Sequence, residues 1–137
     1  MRVNIIEKLL SKNSSDKNIT AVSIGASGEE TAVKILKKNG YTIIERNYRT
    51  RQGEIDIIAV KGRFVVFVEV KLRKNADFAE AREFVTRSKQ SRIITTAQIW
   101  LSQNETELQP RFDVIEIYAP EGIGRRVRIE HIEDAFC

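Results

Sequence analysis

The chain has 137 residues, of which 42% are hydrophobic and 31% are charged. These values suit one globular domain, and they exclude a disordered chain or two domains of ordinary size. The formal net charge of +4 permits contact with the phosphates of a nucleic acid but is a weak signal alone. The single cysteine, Cys137, excludes an intramolecular disulfide and a cysteine-rich zinc site, and it fits a reducing, cytoplasmic compartment.

The N-terminal segment is polar and basic and shows no sustained periodicity. Its apolar pairs, Ile5-Ile6 and Leu9-Leu10, fall far short of a signal-peptide core or a membrane span. We therefore predict a flexible basic arm over residues 1–22, with one helical turn around Ile5 to Leu10. A single domain is expected over residues 23–137, with no membrane association.

A first helix is predicted between Ser27 and Gly40, because a capping serine precedes two acids and an apolar stripe, and glycine commonly terminates helices. Glu29 shares that stripe, whereas Glu30 is rotated about 100° away from it. Glu29 is therefore predicted to point toward the core, although both acids would also complement the positive end of the helix dipole. The stripe consists of Ala32, Val33 and Leu36.

The rest of the chain has the pattern of five strands and a second helix. Strands are expected over residues 41–48, 54–60, 64–72, 112–118 and 127–132, and a helix from Arg87 to Gln103. Thr86 is the expected cap of this helix, and Pro110 is expected to close the loop that follows it. Gln90 lies on the apolar stripe of the helix, where it is either a core amide with its hydrogen bonds satisfied or part of a site. The order α-β-β-β-α-β-β predicts an α/β (α+β) fold in which helices flank a central mixed sheet of about five strands.

The second and third strands form a hairpin that carries acids among its apolar residues. A buried carboxylate is costly unless it is paired, hydrogen-bonded or bound to a metal ion. Strand alternation places Glu54 and Asp56 on one face of the second strand, and Glu69 and Lys71 on one face of the third. If these faces coincide, two carboxylates converge on one ion.

The identity of the turn decides how close the two acids lie. With Lys61-Gly62 as a two-residue turn, Val60 pairs with Arg63. Glu69 is then the diagonal neighbour of Asp56 on the same face. A four-residue turn would place the acids directly opposite each other, and a three-residue turn would send them to opposite faces.

The donor types indicate which metal would bind. Hard oxygen ligands, few in number and leaving room for water, suit Mg²⁺ or Mn²⁺ better than zinc, and His131 alone cannot form a zinc site. A bound divalent ion activates water and stabilises charge on a phosphoryl oxygen. Lys71, on the face of Glu69, would orient that water or neutralise that charge.

Asp56 followed by Glu69-Val70-Lys71 is the D…ExK pattern of the PD-(D/E)XK nuclease superfamily, and residues 25–136 resemble its YraN-like family. The matching motifs are Gly28-Glu29, Gly40-Tyr41, Asn47-Tyr48-Arg49, Gly53-Glu54-Ile55-Asp56, Val66-Phe67-Val68-Glu69-Val70-Lys71, Val85-Thr86, Lys89-Gln90 and His131-Ile132-Glu133. The resemblance implies a restriction-endonuclease-like fold.

The chain is also similar to archaeal Holliday-junction resolvases of the same superfamily. By this resemblance the catalytic residues are Glu29, Asp56, Glu69, Lys71 and Gln90, with Asp56, Glu69 and Glu29 holding Mg²⁺ or Mn²⁺. The implied activity is metal-dependent hydrolysis of phosphodiester bonds in structured or branched DNA. A homodimer is one expected assembly, because two-fold symmetry is common among oligomers and suits symmetric junctions.

Basic residues cluster in the elements that flank the proposed acids. Any one of them alone would be a solvated surface residue, but their shared placement favours contact with a nucleic-acid backbone, preferably DNA. No recognition-helix, zinc-finger or RNA-binding aromatic motif is present, so sequence-specific reading is not predicted. The predicted nucleic-acid-binding residues are Arg49, Arg51, Arg73, Lys74, Arg87, Lys89 and Arg92.

Two alternatives to a nuclease remain open. The first is a nucleic-acid-binding or adaptor protein that keeps the nuclease fold without significant turnover, for which binding would depend strongly on salt. The second is a purely structural ion-pair network around Lys71, although such networks are weak indications of stability.

Overall fold

The structure, a computed structural model, describes residues 3–4, 28–73, 85–119 and 127–137. The helices are α1 (Gly28–Lys38) and α2 (Arg87–Gln103). The strands are β1 (Val3–Asn4), β2 (Thr42–Thr50), β3 (Gly53–Lys61), β4 (Phe64–Arg73), β5 (Asn104–Glu105), β6 (Gln109–Tyr118) and β7 (Arg128–Ile132). The predicted cap Ser27, the predicted turn around Ile5 to Leu10, and Lys74 lie outside the described residues.

Local signals in the sequence set the ends of both helices. Gly40 has a φ of +90°, the left-handed conformation that suits a residue just past a helix end, and α1 ends two residues earlier. The Thr86 side chain accepts a hydrogen bond from the Lys89 backbone N–H at 3.1 Å, which confirms the predicted cap of α2. Neither helix in these ranges is both long and apolar enough to cross a bilayer.

Five of the described strands form a mixed sheet in the order β2-β3-β4-β6-β7. The pairs β2–β3, β3–β4 and β6–β7 are antiparallel, whereas β4 and β6 are parallel and are connected through α2. This arrangement confirms the predicted α+β architecture and its element order. The two-residue strands β1 and β5 pair in parallel as a separate small sheet.

Pro110 lies inside β6, where it pairs with Val65, and the prediction that it closes a loop is wrong. The antiparallel ladder between β6 and β7 begins at Val114. At Pro110 the other edge of β6 therefore has no β7 partner, and a residue without a backbone N–H is tolerated there.

Each helix covers one face of the large sheet. Ala32, Val33 and Leu36 of α1 pack on one face, in a cluster that includes Ile57 and Val68. On the opposite face, α2 contributes the second cluster. Its aromatic centre is Phe67, which contacts Trp100 edge-on at 5.8 Å and stacks on Phe112 at 5.5 Å. Both faces of β3 and β4 are therefore buried, as the apolar sequence of the hairpin indicates.

The hairpin turn differs from the preferred prediction. Lys61 pairs with Phe64, so the two turn residues are Gly62, with a φ of +57°, and Arg63. Val60 consequently pairs with Val65 and not with Arg63, a shift of two residues along β4. An even shift preserves the face of every paired side chain, and it gives the register expected of the four-residue alternative as far as the last pair, Ile57–Val68.

Candidate metal and nucleic-acid site

The strands β3 and β4 separate at the proposed acids. Their antiparallel ladder ends at the pair Ile57–Val68, although β3 remains paired with β2 as far as Gly53 and β4 remains paired with β6 as far as Arg73. Immediately past the last pair, the Asp56 carboxylate accepts a hydrogen bond from the Val70 backbone N–H at 2.8 Å. The side chain of Asp56 thus replaces a ladder bond at the point where the sheet splits.

At the split, the regular alternation of side chains between the two faces of the sheet is interrupted in β2 and β3. Ile55 and Ile57 are two residues apart, yet they belong to the clusters on opposite faces of the sheet. Between the flanking pairs Arg46–Ile57 and Tyr48–Ile55 lie Asp56 and Asn47, whose φ is +52°. Asparagine tolerates this left-handed conformation better than most residues. The regular alternation predicted from Glu54 to Val60 therefore fails at Asp56.

The charge of Asp56 is poorly compensated. Burial and then repulsion by Glu69 raise the pKa of Asp56 to about 7, against the smaller opposing effect of the Val70 N–H. The negative charges of Glu29 and Glu54 raise the pKa further. A carboxyl group in this environment gains when a cation arrives, because a nearby positive charge favours the ionised form.

Glu69 is 6% exposed and lies between two lysines. Its Oε1 atom is 2.5 Å from Lys89 Nζ and 3.8 Å from Lys71 Nζ. Burial, followed by the neighbouring charge of Lys89, lowers the pKa of Lys71. A lysine with a lowered pKa gives up its proton more readily than a free lysine, which suits a residue that moves a proton.

Glu29 is brought toward this region by α1, but its contacts are with Arg46. Glu29 Oε1 lies 3.9 Å from Arg46 Nε, while Glu30 Oε1 lies 2.6 Å from Arg46 Nη2. The side chains of the two glutamates have similar exposure, 22% and 26%, so the predicted contrast between them is smaller than expected. Burial raises the pKa of Glu29, against the attraction of Arg46.

Gln90 lies at the start of α2 and is engaged locally. Its side-chain Nε2 donates a hydrogen bond to the Val85 carbonyl at 2.9 Å, and its backbone N–H donates to the Thr86 carbonyl at 2.8 Å. These bonds hold the first turn of α2 and are those of a satisfied amide. Its role in a site stays a prediction.

The donor chemistry fits a divalent ion on two carboxylates. Throughout residues 28–73, 85–119 and 127–137, no three His, Cys, Asp or Glu side chains are grouped closely enough to hold a metal ion. The set of Asp56, Glu69 and Glu29 is therefore not assembled as a three-ligand site. Asp56 and Glu69 remain as hard oxygen donors, and two carboxylates with waters are a common environment for Mg²⁺.

Four of the seven predicted cationic residues line cavities beside the split in the sheet. Arg49, Arg51 and Arg92 line an open cavity of about 320 Å³ at the β2–β3 turn. Lys89 and Arg92 line an adjoining cavity of about 150 Å³ with Gly53, Glu54 and Ile93. Neither cavity is lined by Arg73, which is half-buried at the end of β4, or by Arg87, which is exposed at the start of α2.

Two contributions to the site were missed from the sequence. Lys89 was assigned to phosphate contact, but the structure places it on Glu69. Its position four residues before Ile93 and eight before Ala97 puts it on the buried stripe of α2, and this signal was available. Arg46, which contacts both glutamates of α1, has no distinguishing sequence signal.

A second buried acid, Asp113, lies on β6 with a full set of donors. Arg111 donates to both of its oxygens, from Nε at 2.9 Å and from Nη2 at 2.8 Å. His131 Nε2 lies 2.7 Å from Oδ2, and the Asp134 backbone N–H donates at 3.0 Å. Burial acts to raise the pKa of Asp113, but the bonds from His131 and Arg111 outweigh it and the pKa is lowered.

The comparison with known proteins identifies close relatives. A family model described as "Uncharacterised protein family UPF0102" matches residues 28–117. A UPF0102 protein of Caldanaerobacter subterraneus is 40% identical over 122 residues, covering 88% of this chain and 99% of the relative. Relatives in Alkaliphilus oremlandii and Geotalea daltonii are 46% and 47% identical, covering 82% and 83% of this chain and 97% and 89% of the relatives. These names give a family and no activity.

Proposed function

The chain belongs to the UPF0102 family, the YraN-like family of the PD-(D/E)XK superfamily whose motifs it carries, and we propose that it is a metal-dependent endonuclease. The observation that carries this proposal is the environment of Asp56. A half-buried carboxylate with a pKa of about 7 lies at a split in the sheet, beside Glu69 and next to cavities lined by arginines. Strongly perturbed acids in such positions are typical of functional sites.

Asp56 and Glu69 would hold Mg²⁺ or Mn²⁺, which when bound supplies Lewis-acid chemistry for the attack of water on a phosphodiester. Lys71 is the residue best placed to move a proton, because it lies 3.8 Å from Glu69 and its pKa is lowered, first by burial and then by Lys89. Glu29 acts on Asp56 through its charge. Gln90 holds the first turn of α2, which carries Lys89, through its bond to Val85.

The substrate would lie across the cavities at the β2–β3 turn. Arg49, Arg51 and Arg92 present guanidinium groups there, and such groups bind phosphate oxygens without reading base sequence. We therefore propose backbone recognition of DNA, with structured or branched DNA as the substrate that the superfamily resemblance favours. Arg73 and Arg87 are proposed to contact the same backbone, and the predicted contact of Lys74, outside the described residues, stays a prediction.

The direct experiment is a cleavage screen over single-stranded, duplex, flapped and four-way DNA, with Mg²⁺ and with Mn²⁺. Asp56→Ala and Lys71→Ala are each expected to lower the cleavage rate by roughly a hundredfold or more. Glu107→Gln, an exposed acid remote from the proposed site in sequence, serves as the control and should cleave like the wild type. Cleavage that survives in the double variant Asp56→Ala, Lys71→Ala would refute the assignment.

One observation favours a second candidate, a nucleic-acid-binding or adaptor protein without significant turnover. Lys89 already neutralises Glu69, at 2.5 Å, so one of the two proposed ligands has an internal partner. This candidate predicts DNA binding that weakens steeply with salt, and no cleavage with either ion. Neutralising Arg49, Arg51 and Arg92 together should then reduce both the affinity and its salt dependence, and unchanged binding would exclude this version.

A further inference from the structure

We infer that Lys89 is an internal counter-cation of the candidate metal site, which neutralises Glu69 in the metal-free protein and has to leave it when a divalent ion binds. The inference rests on the proposed role of Glu69 as a metal ligand. It states which cation contacts the Glu69 carboxylate before the metal ion binds. It also gives the helix α2 a role in metal binding, although α2 lies outside the D…ExK motif.

The contact itself is short and specific. Lys89 Nζ lies 2.5 Å from Glu69 Oε1, well within the reach of a charge-assisted hydrogen bond. Lys71 approaches the same oxygen only to 3.8 Å, beyond hydrogen-bonding distance. Lys89 therefore forms the closer ion pair with Glu69, although Lys71 is the lysine within the sequence motif.

An ammonium group and a divalent ion compete for one carboxylate. Both interact with the oxygens of Glu69, whose side chain is only 7% exposed, so water screens their mutual repulsion weakly. A Mg²⁺ or Mn²⁺ ion shared between Asp56 and Glu69 would lie within a few ångströms of Nζ in its present position. Removal of the ammonium group should therefore strengthen binding of the ion.

Lys89 can withdraw, because its side chain has both freedom and space. The side chain is 35% exposed and begins on the first turn of α2, whereas that of Lys71 is 22% exposed within β4. Lys89 also lines the cavity of about 150 Å³ that Glu54 and Arg92 share. In that cavity the released ammonium group joins the cations proposed to contact phosphate, so metal binding adds one positive charge to the DNA-contacting surface.

Calorimetric titration of Mn²⁺ in the absence of DNA tests the inference without any cleavage readout. Lys89→Gln is expected to bind Mn²⁺ about tenfold more tightly than the wild type, a change of about 1.4 kcal/mol. Arg92→Gln is the matched control, because it removes one positive charge from the same helix and the same cavity but is not in contact with Glu69. Its Mn²⁺ affinity should change by less than about threefold, since an exposed charge is well screened.

The outcomes separate this inference from the proposed function. If the wild type binds Mn²⁺ and Lys89→Gln binds it equally or more weakly, the counter-cation role is wrong while the metal site stands. If neither protein binds Mn²⁺, the metal site is wrong and this role falls with it.

A second variant keeps the test valid if Lys89→Gln fails to fold. Lys89→Arg retains the positive charge, and its guanidinium can contact both oxygens of Glu69, so it should be harder to displace. It is expected to bind Mn²⁺ several-fold more weakly than the wild type. Equal or tighter binding would overturn the inference.

Discussion

Asp56, which is half-buried, and Asp113, which is fully buried, are acids of one sheet, but their surroundings shift their pKa values in opposite directions. Asp113 is fully buried, and it receives hydrogen bonds from Arg111 and from the Asp134 backbone with His131 at 2.7 Å. Asp56 has one donor in the described structure, the Val70 N–H, and it is repelled by Glu69. The pKa of Asp113 is accordingly lowered, while burial and repulsion raise that of Asp56 to about 7. The protein therefore compensates the charge of Asp113 fully and that of Asp56 only in part, as expected if Asp56 is the proposed metal ligand.

The largest expected effect comes from breaking the satisfied cluster. Asp113→Asn removes the charge that Arg111 neutralises and that His131 contacts at 2.7 Å, and it should lower the free energy of unfolding by about 3 kcal/mol at pH 7. Because the pKa of Asp113 is lowered on folding, its contribution is present above the unfolded pKa and is lost as the pH falls through the folded value. Urea denaturation of the wild type and the variant at pH 7 and at acidic pH measures the loss of stability and its pH dependence.

The exposed acid Glu107 provides the control for that prediction. Glu107→Gln should change the free energy of unfolding by less than about 0.5 kcal/mol, as is usual for a surface substitution. A loss below about 1 kcal/mol in Asp113→Asn would mean that the Asp113 cluster contributes no more than an ordinary surface ion pair.

Removal of the charge of Asp56 is expected to change the free energy of unfolding in the opposite direction. In a chelating buffer at pH 8, Asp56→Asn should raise the free energy of unfolding by about 2 kcal/mol, because the amide can still accept from Val70 but carries no charge. The folded protein holds the Asp56 proton up to a pH of about 7, whereas the unfolded chain loses it near about pH 4. The wild type therefore loses stability across this window as the pH rises.

The pH dependence is the sharper part of this test. The gain from Asp56→Asn should be absent below about pH 3, where both states of the wild type are protonated, and complete above about pH 7. A variant that is less stable than the wild type at pH 8 would show that Asp56, like Asp113, is a structural acid.

A smaller effect is expected from the metal ion itself. Mn²⁺ at ten times its dissociation constant should stabilise the wild type by about 1.4 kcal/mol at pH 8. Asp113→Asn should gain the same amount, because its substitution leaves both proposed ligands in place, whereas Asp56→Asn should gain almost none. Thermal melts with and without Mn²⁺ measure the difference, and equal stabilisation of all three proteins would place the ion elsewhere.

The fold was largely predictable, because its boundaries depend on local chemistry. Thr86 as a cap and Gly40 as a terminator each act within one helical turn, and the predicted helix from Arg87 to Gln103 has the observed bounds. The turn was also encoded locally. Glycine at the first of two turn residues is a known hairpin pattern, and Gly62-Arg63 fits it. The prediction placed the turn at Lys61-Gly62 instead, and the observed register differs from that prediction by two residues.

The site was less predictable, because it depends on where two strands part. The sequence indicates that Asp56 and Glu69 share a face, but not that the ladder ends at Ile57–Val68 or that Asn47 adopts a positive φ opposite Asp56. The partner of Glu69 is a lysine from α2, a separate element whose approach depends on the packing of the helix against the sheet. Such contacts between distant segments leave only weak signals in one sequence.

A crystal structure of the protein soaked in Mn²⁺, with the anomalous scattering of manganese recorded, would show whether the two acids bind the ion. We expect one ion between the carboxylates of Asp56 and Glu69, with Lys89 Nζ turned away from Glu69 toward the cavity that Arg92 lines. An anomalous map without an ion at these carboxylates, with Lys89 still on Glu69, would contradict this expectation.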